Sequence, residues 1–172
     1  METIFKRRSI RKYTEKPVSE EELEGILRAG MAAPSSDNDQ EWEFVIIEKS
    51  ETKAAIIGMN KYAGALKTAP LCIVVCADMN KVSEPDYIYW IQDLSASAQN
   101  MLLAATSMGL GGLWIGLAAC QRQEISKLIS LPPNIEPLML LAVGTPQKTK
   151  DPIDRYFKEK VHFERFGGQK EK

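Results

Sequence analysis

Three arginines and a serine stand close together near the start of the chain, Arg7, Arg8, Ser9 and Arg11 in RRSIRKYT. If this segment is extended, Arg7, Ser9 and Arg11 point to one side, because side chains in a strand repeat every two residues. Two guanidiniums and a hydroxyl on one face suit a phosphate: arginine brings forked donors and a permanent charge, serine one donor more. If the segment is helical, Arg7, Arg8 and Arg11 share a face instead. Both readings give a compact cationic cluster. The alternative is a solvated basic arm, the usual fate of a short charge run.

A second polar cluster, Pro34, Ser35, Ser36, Asp37, Asn38 and Asp39, leads into the apolar run that starts at Trp42. These residues form turns and offer hydrogen bonds. A polar loop at the mouth of a strand is a common place to hold a ligand, although many such loops only connect. A third stretch, GLGGLWIG, ends at Gly116. It reads as a glycine-rich turn feeding a short buried strand, one that could bring backbone N–H groups to a ligand without side-chain obstruction.

Other chemistries find little support. Cys72 and Cys76 lie in LCIVVCA and read as small core residues. With Cys120 the count is odd, and the single histidine, His162, makes a zinc site improbable. His162 is expected to be structural. There is no G-x-G-x-x-G after a strand and no P-loop; the glycines from Gly109 to Gly116 follow a helix, the wrong context for a dinucleotide fingerprint. A net charge of −1 sets up no global field for nucleic acid or an anionic membrane, so an anion site must come from local clustering. No apolar run approaches the roughly 20 residues of a spanning helix. METIFKRRS lacks the apolar core of a signal peptide. A cytoplasmic protein is expected.

The elements that must position these residues are legible as a pattern. With 172 residues, 44% apolar and 26% charged, the chain is expected to be one domain, residues 1–172, with a sizeable core. Its centre is a long helix beginning near Pro85. Tyr87, Ile91, Leu94, Ala98, Met101, Leu102, Ala105 and Met108 recur at helical spacing, and Gly109 is a natural stop. Ile88, Trp90 and Leu103 lie off that stripe, which predicts burial on more than one side. A short helix is expected at residues 2–6. Ser19 and Glu22 fit a capping box opening a helix to about Gly30. Strands are expected at Trp42–Ile47, Leu71–Ala77, Leu113–Leu117 and Pro137–Gly144, the second apolar throughout and so central. Helices are expected at 51–58, ending at Gly58, and at 121–130. The tail holds Tyr156, Phe157, Phe163 and Phe166 without a period, and is expected to cover another surface, such as a second subunit.

Taken in order, these pieces are more specific than any one of them. R-R-S-I-R is followed by A-P-S-S-x-N-x-Q-x-W-x-F. Then come D-x-x-x-x-x-Q-N-M-L-L-A-A and G-L-G-G-x-W-I-G, then L-A-V-G-x-P and a late arginine. Over essentially the whole chain this resembles the FMN-dependent nitroreductase family. The resemblance implies an α+β fold, a mixed β-sheet flanked by helices, with the long central helix at a dimer interface. It implies a homodimer with FMN between the subunits. Arg7, Ser9 and Arg11 match the family's phosphate motif, with Arg8 adding backbone or side-chain contacts. Pro34, Ser35 and Ser36 match the loop that lies along the flavin from the partner subunit, and Asn38 is a further match there. Ile115, Gly116 and Leu117 match the segment whose amides approach the isoalloxazine ring, and Arg155 matches a late cation at the phosphate. Glu41 stands where the family usually has proline, Asp37 and Asp39 make the loop acidic, and Leu117–Arg122 lacks the Pro-Glu-Gly character of some members.

The implied function is an FMN-dependent oxidoreductase working by ping-pong hydride transfer. NADH or NADPH is the transient reductant, and a small-molecule acceptor such as a nitroaromatic or quinone takes its place. No catalytic side chain, metal, nucleic acid or membrane partner is expected. The alternatives are other flavin chemistry on the same fold, namely dehalogenation or flavin fragmentation, or a non-catalytic flavin-binding sensor.

Overall fold

The computed structural model describes residues 1–84 and 88–170. The elements run α1 (Glu2–Lys6), α2 (Glu20–Met31), β1 (Trp42–Ile47), α3 (Ser50–Met59), β2 (Leu71–Asp78), α4 (Tyr89–Ser107), β3 (Gly111–Gly116), α5 (Ala119–Leu128) and β4 (Ile135–Gly144). Single turns of 3-10 helix occur at Ser36–Asn38, Ala63–Lys67 and Lys158–Lys160. The expected capping box opens α2: the Glu22 N–H donates to the Ser19 hydroxyl at 3.1 Å, and the Ser19 N–H donates to the Glu22 carboxylate at 2.8 Å. Gly58 does not stop α3, which closes one residue later and hands over at Asn60. Gly109 does stop α4, with a left-handed φ of 78° that a side chain would resist.

The strand order is β1-β2-β4-β3, and all three ladders are antiparallel. The expected mixed sheet is corrected accordingly. Among the described residues the parallel component is a single bridge between Ser9 and Gly112. The N-terminal arm touches β3 only there, and by Tyr13 it has turned to pair antiparallel with Pro146. Pro137, with no N–H to give, sits where the β2–β4 register slips between Val75 and Cys76, a place that needs no ladder donor.

β2 is buried from Leu71 to Ala77, as a central strand should be. Its side chains alternate between two cores. Leu71, Ile73, Val75 and Ala77 join Ile26 of α2 and Leu94, Ala98, Met101 and Ala105 of α4 on one face. Cys72, Val74 and Cys76 join Ile10, Tyr13, Ile56, Leu66, Ile115 and Ile125 on the other. In α4, Trp90 is buried and Leu103 half-buried, whereas Ile88, just before the helix, is exposed. The expected first turn at 85–87 lies outside the described residues. No helix among the described residues is long and apolar enough to cross a membrane.

Gly111 and Gly112 belong to β3 rather than to a preceding turn, because the arm packs directly on them. A Cβ at Gly111 would lie 2.5 Å from Ile10 Cγ1 and 2.9 Å from Pro146 Cγ, both on stiff side chains. Beyond Pro146 no strand or α-helix occurs among the described residues, and Tyr156, Phe157, Phe163 and Phe166 are all exposed. Gly111→Ala should therefore destabilise the fold by roughly 1–3 kcal/mol through overpacking. Gly58→Ala, in a helix where a Cβ meets open space, should be neutral or stabilising by up to about 1 kcal/mol. Urea midpoints of the two variants against the parent chain check this.

Candidate functional site

The arm is extended, which decides between its two readings. α1 ends at Lys6 and Arg7 leaves it with φ −61° and ψ 122°. Ile10 is buried and its N–H donates to the Gly112 carbonyl at 3.0 Å. The Tyr13 hydroxyl lies 2.8 Å from the Ile10 carbonyl and 3.0 Å from that of Ala142, tying the arm to β4. Burial of this phenol pushes its pKa far above the ordinary value. Arg7 and Ser9 are half-buried and Arg11 is exposed.

Arg155 comes to the same end of the molecule from the tail. With Arg7 and Arg8 it lines a cleft walled by Ile4, Phe5 and Ile153. The Arg8 guanidinium donates to the Asp151 carbonyl, and the Lys150 ammonium donates to the Ser9 carbonyl at 3.0 Å, so tail and arm are latched together. Arg11 lines a second cleft, of about 400 Å³, with Tyr62, Leu113, Trp114, Ile115 and Gly116. Among the described residues Arg7, Arg11 and Arg155 have no ion pair and no side-chain hydrogen bond. Arg7 and Arg155, neither in an ion pair, share a cleft with Asp154 that could take an anion, and Arg11 offers a further cation in the next.

The end of β3 is open. A Cβ on Gly116 would meet nothing within 4 Å. The Gly116 carbonyl faces away from β4 and accepts from the Asn60 amide at 3.1 Å. Asn60, fully buried, was not a sequence candidate, nor was Gln121, which reaches it from α5. Neither carries a local pattern that marks it. Their partners are some 60 residues away.

The loop before β1 is built differently. Asp37, Asn38 and Gln40 take left-handed φ values of 49°, 61° and 50°, which Asp and Asn tolerate best among non-glycine residues. Hydrogen bonds hold it there. The Ser36 N–H donates to Asp93 at 2.9 Å, the Gln40 N–H to the Ser35 hydroxyl at 3.1 Å, and the Gln40 amide to the Asn38 side chain at 2.9 Å. Asp39 accepts the Ser83 N–H at 2.7 Å and also its hydroxyl. Pro34, Ser35, Ser36 and Asn38 are thus together, but not with the other candidates. They precede β1 while Ile115, Gly116 and Leu117 close β3, at opposite edges of the sheet, three strand spacings or about 14 Å apart.

Glu41 departs from this tidiness. It is 1% exposed, and neither carboxylate oxygen has a hydrogen-bond partner. Burial raises its pKa above the ordinary 4.5, and the charges of Asp93 and Asp39 push the same way. Elsewhere the expectations are simple. Cys72 and Cys76 are buried core thiols, which burial pushes up to about 12. His162 lies exposed in the tail with its ring centroid 4.3 Å from that of Phe166. No group of residues suited to a metal ion occurs among the described residues.

Comparison with known proteins gives one direction. A family model described as the nitroreductase family matches residues 4–63 and 58–145. The chain is similar to an Archaeoglobus fulgidus protein assigned as an NADH dehydrogenase/NAD(P)H nitroreductase, at 34% identity over 96% of this chain and 98% of that protein. Its fold is similar to that of an assigned NADH oxidase from Clostridium acetobutylicum, with TM-score 0.90, 38% identity and coverage of 95% and 99%. It is also similar to an assigned nitroreductase from Desulfovibrio desulfuricans solved in complex with FMN, with TM-score 0.86, 30% identity and 96% coverage of both chains.

The buried carboxyl gives a pH prediction. An acid whose folded pKa is raised holds its proton more tightly when folded. Its contribution is complete below the ordinary pKa and is lost as pH rises through the folded one. Glu41→Gln should therefore stabilise the protein at neutral pH, and its advantage over the parent should grow as pH rises from about 4.5. Denaturation midpoints of both proteins across pH 4–8 check this; a constant difference would refute it.

Proposed function

The chain belongs to the nitroreductase family, and from that premise we propose how its residues serve an FMN-dependent oxidoreductase. It is an NAD(P)H-dependent flavin oxidoreductase of the nitroreductase type. When bound, FMN supplies hydride and electron transfer from NADH or NADPH to an acceptor such as a nitroaromatic or quinone, with donor and acceptor using the same place in turn.

One observation carries the cofactor assignment: Arg11, without an ion pair among the described residues, lines the cleft that opens at Gly116, and Arg7 and Arg155 line another beside the same arm. Arg7, Ser9 and Arg11, with Arg8 and Arg155, hold the phosphate, whose charge of about −1.5 to −2 the guanidiniums meet with forked donors. Ile115, Gly116 and Leu117 lie against the ring. The open space at Gly116 leaves room for a flat group, and Asn60 holds the Gly116 carbonyl in place beside it. The chain's own part is to bind, orient and tune. No side chain need take or give a proton, so none is assigned as acid or base.

Pro34, Ser35, Ser36 and Asn38 complete the site from a second copy, in a homodimer with FMN at the subunit interface. Two features support this. The loop and the β3 end stand on opposite edges of one sheet, with β2 and β4 between them. The tail exposes Tyr156, Phe157, Phe163 and Phe166, more aromatic surface than a lone chain usually leaves wet. Residues 1–172 act as one FMN-binding domain, and the enzyme is cytoplasmic.

The purified protein should show flavin absorbance, bleached anaerobically by NADH or NADPH and restored by a nitroaromatic or quinone. Flavin bands that persist with both donors would instead favour a sensor. Arg11→Ala should release FMN at least tenfold more readily, with an unchanged far-ultraviolet circular dichroism spectrum. Equal retention in a dialysis series would take the phosphate role from Arg11.

A further inference from the structure

Glu41 is 1% exposed, and neither oxygen of its carboxyl group has a hydrogen-bond partner among the described residues. Lys53, the other buried charged residue among those described, is engaged with two carbonyls. The charged groups that face Glu41 come from three elements. Asp39 stands in the loop before β1, Asp93 on α4 and Lys81 in the turn after β2. The cation among them is already shared, for the Lys81 ammonium lies 2.9 Å from Glu43 and 4.0 Å from Asp78. An ionised Glu41 would join two carboxylates of its own sign, away from water, beside a cation that already answers two others. A buried carboxyl without a partner is costly when neutral and far costlier when charged, so such a group keeps its proton. Burial and the two aspartates push its pKa up, and its own backbone N–H and Lys81 oppose them without reversing the direction.

Glu41 is also the root of the Pro34–Asn38 loop. On the strand side its carbonyl accepts the Asp78 N–H at 2.7 Å, which fixes the backbone to β2. On the loop side stands Gln40 at φ 50°, a left-handed conformation that a long side chain rarely adopts. Gln40 in turn holds the loop: its N–H donates to the Ser35 hydroxyl at 3.1 Å and its amide to the Asn38 side chain at 2.9 Å. We propose, resting on the FMN reading above, that Glu41 as a neutral acid is a positioning residue that keeps this loop in the shape that meets FMN, and that its ionisation releases the loop. The carboxylate leaves the interior by a turn of the chain at Gln40, where a return to negative φ relieves strain. That turn breaks the two hydrogen bonds through which Gln40 holds Ser35 and Asn38. Glu41 thus acts on the cofactor through the loop.

The test compares FMN affinity in the parent and in Glu41→Gln, which cannot ionise there. From about pH 5 to 9 the affinity of the variant relative to the parent should rise about tenfold or more, because only the parent loses the loop as Glu41 gives up its proton. The second ionisation of the FMN phosphate, at about pH 6, acts on both proteins alike and cancels in the ratio. A second readout needs no cofactor. In the flavin-free proteins, the amides of Ser36, Asn38, Asp39 and Gln40, all hydrogen-bonded within or beside the loop, report its closure. Their protection from hydrogen exchange, corrected for the intrinsic effect of pH, should fall with rising pH in the parent and stay level in Glu41→Gln. A constant affinity ratio, or loop protection with the same pH dependence in both proteins, would overturn the positioning role and leave the oxidoreductase intact. A parent that takes up no FMN would overturn the FMN reading, and the exchange data would still decide whether Glu41 holds the loop. Should Glu41→Gln not fold, Glu41→Met, likewise uncharged and of similar length, takes its place.

Discussion

Two neighbouring strands with apolar side chains on both faces impose the main constraint on this molecule. β2 and the second half of β4 leave almost nothing for water to touch, so each face must be roofed. α4 and α2 roof one face; α3, α5, the Ala63–Lys67 turn and the N-terminal arm roof the other. Fully burying each large side chain contributes about 1.5–3 kcal/mol, so neither roof can be given up cheaply. The arm is therefore part of the core before it is part of any site. Ile10 and Tyr13 fix it from below, and the arginines it carries are presented from a rigid base.

Charge is distributed in the same economical way. Lys53 is nearly buried, but its ammonium donates to the carbonyls of Ala69 at 2.8 Å and Pro70 at 3.0 Å, which satisfies it locally and pins α3 to the start of β2. Lys81 and Arg122 find carboxylates. Arg7, Arg11 and Arg155 do not, and the meeting of Arg7 and Arg155 in one cleft from the two ends of the chain is the feature least explained by folding alone. Glu41 is the inverse case, an acid sealed in beside Asp39 and Asp93 without a hydrogen-bond partner, the charge of Lys81 offsetting them only in part.

Much of this was legible in the sequence wherever a signal is local. The capping box at Ser19, the apolar run of β2, the stripe of α4 and the stop at Gly109 all follow from residue type and spacing within a few positions. Other features depend on partners distant in the chain. Gly111 and Gly112 resemble a turn until Ile10 and Pro146 are laid across the first and Leu102 of α4 across the second; only then is their lack of side chains a packing requirement. The antiparallel order cannot be read from strands that are simply apolar. Asn60 and Gln121 carry no local mark of their part, because the carbonyls they hold lie some 60 residues away. Arg155 had no local mark, and its link to the arm was legible only through the order of motifs along the whole chain. The alternation of Arg7, Ser9 and Arg11 could be recognised early, yet the choice between extended and helical needed Gly112 to pair with.

A sheet that carries half of a site on each edge has a genetic consequence. In the proposed two-fold assembly, each binding place draws its arm from one polypeptide and its Pro34–Asn38 loop from the other. Two alleles, one damaged only in the arm and one only in the loop, would then complement each other. In a mixed dimer both lesions fall in the same place and the other place is built entirely from sound parts. With random pairing of the two products, about a quarter of the capacity would return from two inactive gene products.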